Sequence, residues 1–367
     1  MEAIERAVHA NPSSVHRPGQ RARVELEDAR ERIATALGAE GREIVFTSGG
    51  TEANNHALKG YALAIHAAHG GWPAIITARS EHHAIIHPAE FLGRLGAHLV
   101  WLDPDAEGRI LPEALGAALA GVPPDTAPLV SIMHANNETG TINPIAALAE
   151  RAHAAGAIFH TDAVQSYGKI PFTATELGAD LISISAHKIH GPKGIGALYI
   201  NREIELEPLL HGGSQERNRR GGTESLPLAV GFAEASRLAI EGIARHGDHM
   251  RDLGAALRER LGRIEGARIV TPETGALPNI VNLTFEDAAR LDGEGLIVGM
   301  DIRGIAVSNG SACTSGSIQP SHVLSAIGLP AAQAKAAIRF SLSRYTTALE
   351  IEQAVDALED VLRVMRT

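Results

Sequence analysis

Four clusters of polar side chains each follow directly on a short apolar run, and their types suggest chemistry. After EIVFT comes Ser48-Gly49-Gly50-Thr51-Glu52; after AIIT, Ala78-Arg79-Ser80-Glu81-His82-His83; after AIFH, Thr161-Asp162-Ala163-Val164-Gln165; after LISIS, Ala186-His187-Lys188-Ile189-His190. Small residues at a helix start leave backbone N–H groups free to cradle a phosphate. A histidine at a strand end can stack on a flat ring or carry a proton. A lysine partly removed from water has its ammonium destabilised, which frees the amine for a Schiff base. Each cluster also has an ordinary reading on its own: a tight turn with an N-cap, a polar loop histidine, an aspartate capping a helix, a solvated lysine. Together, in this chain order, they are what pyridoxal phosphate requires: an amine for its aldehyde (Lys188), an acid for its ring nitrogen (Asp162), and groups that fix the ring plane and the phosphate.

These clusters need a scaffold that gathers strand ends. Apolar runs at residues 43–47, 74–77, 98–102, 129–134, 157–160, 181–185 and 196–200 read as strands, and helix-compatible segments such as 53–69 and 145–155 separate many of them. That alternation predicts an α/β fold, a mostly parallel seven-stranded sheet flanked by helices. In such a sheet ligands bind beyond the carboxyl ends of the strands, which is where all four clusters sit. Upstream, helical spacing over residues 3–37 is broken by NPSS at 11–14 and by Pro18, predicting a short helix followed by a longer one. The polar stretch RHGDH at 245–249 reads as a boundary. Beyond it, a periodic helix at 250–261, strand candidates at 267–270 and 279–284, a helix near 293–300 and an amphipathic helix at 348–365 suit a smaller α+β C-terminal domain. The expected division is a large cofactor-binding domain over 1–245 and a small domain over 246–367 that carries Cys313.

A chain of 367 residues with 44% hydrophobic content fits about two domains. Its 33 basic and 43 acidic residues give a net charge of −10 without blocks of like sign, which argues against nucleic acid and anionic membrane as partners. No run approaches the roughly 18 apolar residues of a membrane span, and the first residues lack the apolar core of a secretory signal, so the expected location is the cytoplasm. Cys313 is the single cysteine, which excludes an intramolecular disulfide and any Cys-rich metal site. The 18 histidines form no H-E-x-x-H pattern, and the glycines near Gly191 lack G-x-G-x-x-G order, so neither a metal nor a nicotinamide enzyme is supported. Cys313 itself lies in the small-residue run SNGSACTSGS (308–317), which reads as a mobile loop presenting a nucleophilic thiolate.

Eight strings occur in order along the chain: NPSSVH (11–16), EIVFTSGGTEANN (43–55), HANNETGTINP (134–144), TDAVQSYGK (161–169), SAHKIHGPKGIGALYI (185–200), GGSQERNRRGGTES (212–225), SNGSACTSGSIQPSHVL (308–324) and IRFSLSRYTT (338–347). On these the chain resembles the cysteine desulfurases of the NifS/IscS type, within the class V aminotransferases, pyridoxal-phosphate enzymes of the aspartate-aminotransferase-like fold type I. The resemblance implies that Lys188 holds the cofactor, Asp162 pairs with its ring nitrogen, Gln165 bonds the ring hydroxyl and His82 stacks on the ring face and shuttles a proton. It assigns the phosphate to Thr51, Ser185 and His187, with Thr223 reaching in from the other subunit of a homodimer. It assigns the substrate carboxylate to Asn137 and Arg339, the second a guanidinium fork suited to that anion. A segment like YLDNAATTP, which precedes NPSSVH in the family, has no counterpart here; the resemblance reads this as a start assigned late or as loss of a stretch that lines the site.

The implied reaction turns L-cysteine into L-alanine and leaves its sulfur on Cys313 as a persulfide, for delivery to an acceptor protein such as an iron–sulfur scaffold or a tRNA-thiolation protein. A selenocysteine lyase or an aminotransferase of the same fold would keep Lys188 and Asp162, and for an aminotransferase Cys313 would be dispensable. A non-catalytic partner would bind no cofactor at all.

Overall fold

The structure is a computed structural model, and it describes residues 10–124, 126–309 and 319–367. The chain forms two compact units. The first comprises Met1–Leu102, Leu111–His134 and Pro144–Ile243; the second comprises Asp103–Ile110, Ala135–Asn143 and Ala244–Thr367.

The first unit is built on a seven-stranded sheet. Its strands are β1 (Ile44–Thr47), β2 (Ala74–Ala78), β3 (His98–Leu102), β4 (Leu129–Ser131), β5 (Ile158–Asp162), β6 (Leu181–Ser185) and β7 (Gly196–Ile200). They lie in the order β1-β7-β6-β5-β4-β2-β3. Every neighbouring pair from β6 to β3 is parallel, whereas β7 runs antiparallel to both β6 and β1. Reversing twice brings β1 back parallel to β6. The carboxyl ends of β1, β2, β5 and β6 therefore open on one edge of the sheet, and the residues that follow them converge there. Valine, isoleucine and leucine fill about half of the strand positions, and β1, β2, β4, β6 and β7 are buried along their whole length.

A ladder of polar side chains crosses the middle of this sheet. His160 on β5 is fully buried and hydrogen-bonded on both sides, Nδ1 to Ser131 Oγ of β4 at 2.8 Å and Nε2 to Ser183 Oγ of β6 at 3.0 Å. Burial depresses its pKa to about 3, so the ring is neutral. Gly196 marks another constraint. A Cβ there would sit 2.6 Å from Ile184 O and 2.8 Å from Gly49 Cα, so only glycine lets the Ser48–Thr51 turn lie against β7.

The second unit packs helices against a three-stranded antiparallel sheet of β8 (Ala267–Ile269), β9 (Ile280–Phe285) and β10 (Ile338–Ser341), in the order β10-β9-β8. Its core joins Leu257, Phe285, Leu296, Ile338 and Leu358.

Several elements depart from the sequence reading. Pro18 interrupts nothing, because it occupies the first turn of helix Arg17–Leu37, where a missing N–H costs no hydrogen bond. RHGDH does not interrupt the helix Ile243–Leu261, whose Gly247 and Met250 are buried, although the second unit resumes at Ala244, next to the boundary expected there. The helix after β1 begins at Gly50 rather than 53 and runs to His69, passing through a π turn at His56–Gly60. Strand β10 was not foreseen, although Ile338 and Phe340 are buried while Arg339 and Ser341 are less so, the alternation of a half-buried strand.

Candidate active site

Asp162 ends β5 with its carboxyl buried, and both oxygens are engaged. Oδ2 accepts from Asn54 Nδ2 at 2.6 Å and Oδ1 from the Val164 N–H at 2.9 Å. Burial raises its pKa above the ordinary aspartate range, against the opposing pull of those two donors and of His82 and Lys188. In the β5–β6 register Asp162 stands opposite Ser183, so the turn Ala186–Ile189 begins just beyond it on the neighbouring strand.

That turn is a 3-10 helix. Ala186 and Ile189, three residues apart on its inner side, are buried, and this throws His187 and Lys188 outward. Lys188 is exposed, not partly withdrawn from water as its sequence setting suggested, yet its charge acts on both Asp162 and His82. His187 Nδ1 meets Ser185 Oγ at 2.9 Å. Desolvation against the turn, helped by Lys188, Lys193 and Lys169, lowers the His187 pKa and keeps its ring neutral. The turn is thus a patch of positive charge with a hydroxyl and an imidazole beside it, a setting suited to a phosphate dianion.

His82 is the N-cap of helix His83–Leu95, and its Nδ1 accepts the Ala84 N–H at 3.0 Å. The proton of the neutral ring therefore resides on Nε2. The surrounding protein disfavours the imidazolium, Asp162 favours it, and His83, Lys188 and His87 oppose it, for a net lowering of the pKa. Next to it Glu81 is fully buried, accepts the Met133 N–H at 2.7 Å, and has its pKa raised far above normal by burial and by Asp162. Burial pushes both of these neighbouring carboxyls up, Glu81 well above its ordinary range. A cavity of 330 Å³ runs past Thr51, His82, His83, His87 and Phe91. Thr51 is exposed at the start of the helix that also carries Asn54. Gln165 commits its carbonyl oxygen to Lys169 Nζ at 2.9 Å, which leaves its NH₂ to donate to a ring oxygen.

Thr223 is exposed in a segment fastened to the same unit by a buried ion pair. Arg30 grips Glu216 with two hydrogen bonds, 2.6 and 2.8 Å, and Glu216 also accepts the Phe46 N–H of β1 at 2.9 Å. Glu216, Arg217 and Asn218 all adopt positive φ, 49°, 56° and 65°, a run of strained residues that the buried pair holds in place. Asn137 and Arg339 belong to the second unit and meet within it: Arg339 Nη1 donates to the Asn137 carbonyl oxygen at 2.6 Å. Cys313 lies outside the described residues.

Three contributors escaped the sequence reading. Asn54 sits one helical turn after Thr51, a spacing that puts both on the face turned to the strand ends. Glu81 was passed over beside His82, and the Arg30–Glu216 pair joins residues 186 positions apart with no local signal.

The arrangement fits pyridoxal phosphate: an imidazole beyond β2 and an amine beyond β6 act on a buried carboxyl with a raised pKa at the end of β5, beside a cationic turn. The chain matches the class-V aminotransferase family over residues 1–354. It belongs to that family, on its cysteine desulfurase branch. It is 46% identical to the cysteine desulfurase IscS of Dictyoglomus turgidum over 97% of this chain and 88% of that protein. With the cysteine desulfurase IscS of Methanosarcina thermophila it shares 40% identity over 97% of this chain and 86% of the relative. A solved NifS-like protein superposes with a TM-score of 0.90 at 35% identity, covering 99% of this chain and 94% of the other. These desulfurase relatives place the chain among fold type I proteins and imply pyridoxal phosphate as cofactor.

Proposed function

We propose that this protein is a pyridoxal-phosphate-dependent cysteine desulfurase, converting L-cysteine to L-alanine and passing the sulfur through Cys313. The observation that carries the reading is the buried Asp162, held by Asn54, with Lys188 and His82 acting on its charge from beyond the ends of β6 and β2. The desulfurase relatives point the same way.

Lys188 would hold the cofactor, Asp162 its ring nitrogen, Gln165 its ring oxygen, His82 its face, and Thr51, Ser185 and His187 its phosphate, joined by Thr223 of a second copy. When bound, the cofactor supplies an electron sink for negative charge developing on the substrate. Asn137 and Arg339 orient the substrate carboxylate. The Lys188 amine takes the α-proton, and the Cys313 thiolate attacks the substrate sulfur. An S–S bond forms as the Cβ–S bond breaks, the electron pair stays with Cβ, a proton relayed through His82 completes the methyl group, and Lys188 returns a proton to Cα to give alanine. Cys313 is left as a persulfide, which goes on to an acceptor such as an iron–sulfur scaffold or a tRNA-thiolation protein. The assembly is a homodimer working in the cytoplasm, and no helix of the described residues is long and apolar enough to cross a membrane.

Loading the protein with pyridoxal phosphate, reducing with borohydride and mapping the peptides by mass tests the site directly. The label is expected on Lys188, with turnover of L-cysteine to alanine before reduction; a label on another lysine would refute the assignment.

A further inference from the structure

Glu138 lies in the second unit beside Asn137, and its side chain is 1% exposed. Ser321 and Asn282 bond to Glu138, and Arg339 bonds to Asn137 beside it. Ser321 caps helix His322–Ala326 by accepting the Leu324 N–H on Oγ at 3.1 Å, and its own O–H is donated to Glu138 Oε2 at 2.5 Å. Asn282 of β9 donates Nδ2 to the Glu138 main-chain carbonyl at 3.2 Å. Arg339, the register partner of Asn282 on β10, donates Nη1 to the Asn137 carbonyl. The Nε–H of Arg339 is buried without a hydrogen-bond partner among the described residues, as expected of a guanidinium kept for a ligand anion. Its charge and that of Glu138 act on each other.

We infer that Glu138 is a positioning residue whose charge sets how tightly the Asn137–Arg339 pair binds the substrate carboxylate. The inference rests on the desulfurase reading and deepens it. Burial pushes the Glu138 carboxyl up to about 7, against the lowering effects of the Ser321 hydroxyl and Arg339. Arg339 is the charged group that faces it, from β10, while Ser321 at the helix cap and Asn282 on β9 are neutral. Below that pH the carboxyl is neutral and Arg339 presents its full charge to the substrate. Above it the carboxylate offsets that charge and binding weakens, so the protein carries its own brake on substrate affinity at alkaline pH.

The test measures KM and kcat for L-cysteine between about pH 6 and about pH 8.5 in the intact holoenzyme, in Glu138→Gln and in Ser321→Ala. Changes in the ionisation of cysteine itself cancel in the ratio of wild-type to variant KM. That ratio is expected to be near one at the acid end and to rise to about three for Glu138→Gln at the alkaline end, with kcat within about twofold throughout. Ser321→Ala removes a hydrogen bond that favours the carboxylate, so its KM should begin to rise at a higher pH than in the wild type. A ratio that stays flat with pH, or a Glu138→Gln variant that loses kcat at unchanged KM, would overturn the inference while leaving the desulfurase reading intact. Absence of wild-type turnover would remove both.

Discussion

At the scale of single residues, the account depends on Asp162 being a buried acid whose two oxygens are already committed to protein donors. Asp162→Asn keeps the shape but removes the charge, and kcat/KM for L-cysteine is expected to fall by at least about a hundredfold. Asn54→Ala should cost less, about tenfold, because it removes one of the donors that hold the carboxylate and leaves the other. Equal losses in the two variants, read from steady-state kinetics, would mean that Asn54 does more than orient Asp162. Asp162, His82 and Lys188 were legible in the sequence because each closes an apolar strand, where side-chain placement follows from chain order. Asn54 and Glu81 were not, since their importance lies in what they touch across the sheet edge. The exposure of Lys188 was misjudged for a local reason: a 3-10 turn directs its second and third residues outward whatever strand precedes it.

At the scale of elements, the parallel strands fix where the chemistry converges, and the polar ladder Ser131–His160–Ser183 ties the central three together. His160 titrates near 3 in the folded protein against about 6.5 in an unfolded chain. A lowered histidine pKa means that the unfolded state binds the proton first, so its contribution is complete above about 6.5 and is lost as pH falls toward about 3. His160→Gln should therefore flatten the acid limb of stability, seen as a smaller drop in the urea midpoint between neutral pH and about pH 5; an unchanged drop would show that this ring does not drive acid unfolding. The Arg30–Glu216 pair anchors the segment leading to Thr223. Arg30→Met leaves a buried carboxylate alone and is expected to cost about 3–5 kcal/mol in urea unfolding, whereas a loss under about 1 kcal/mol would mean the carboxylate finds water or another donor. The seven strands of the large sheet were readable because each contains a short apolar run bounded by turn residues. Strand β10 was not, because four alternating residues give too short a pattern to separate from a loop; RHGDH lies where the second unit resumes at Ala244 but does not end the helix, because polarity alone does not end a helix lacking Pro.

At the scale of the whole molecule, the reading assigns Thr223 to the site of a second copy, which makes each site a shared object. Lys188→Ala and Thr223→Glu variants should each be inactive. Unfolded and refolded together, they are expected to regain about a quarter of wild-type activity, because half of the dimers are mixed and each mixed dimer assembles one complete site. No recovery, with Thr223→Glu inactive alone, would place Thr223 in its own chain's site. If Lys188 and Cys313 act in sequence on one substrate, neither product can form when either is missing. Purified wild type, Lys188→Ala and Cys313→Ala are incubated with L-cysteine and a reductant, and alanine and sulfide are quantified in each. Equal amounts of the two products are expected from the wild type and neither from the variants; alanine formed at the wild-type rate without the Cys313 thiol would show that the two residues do not act in sequence.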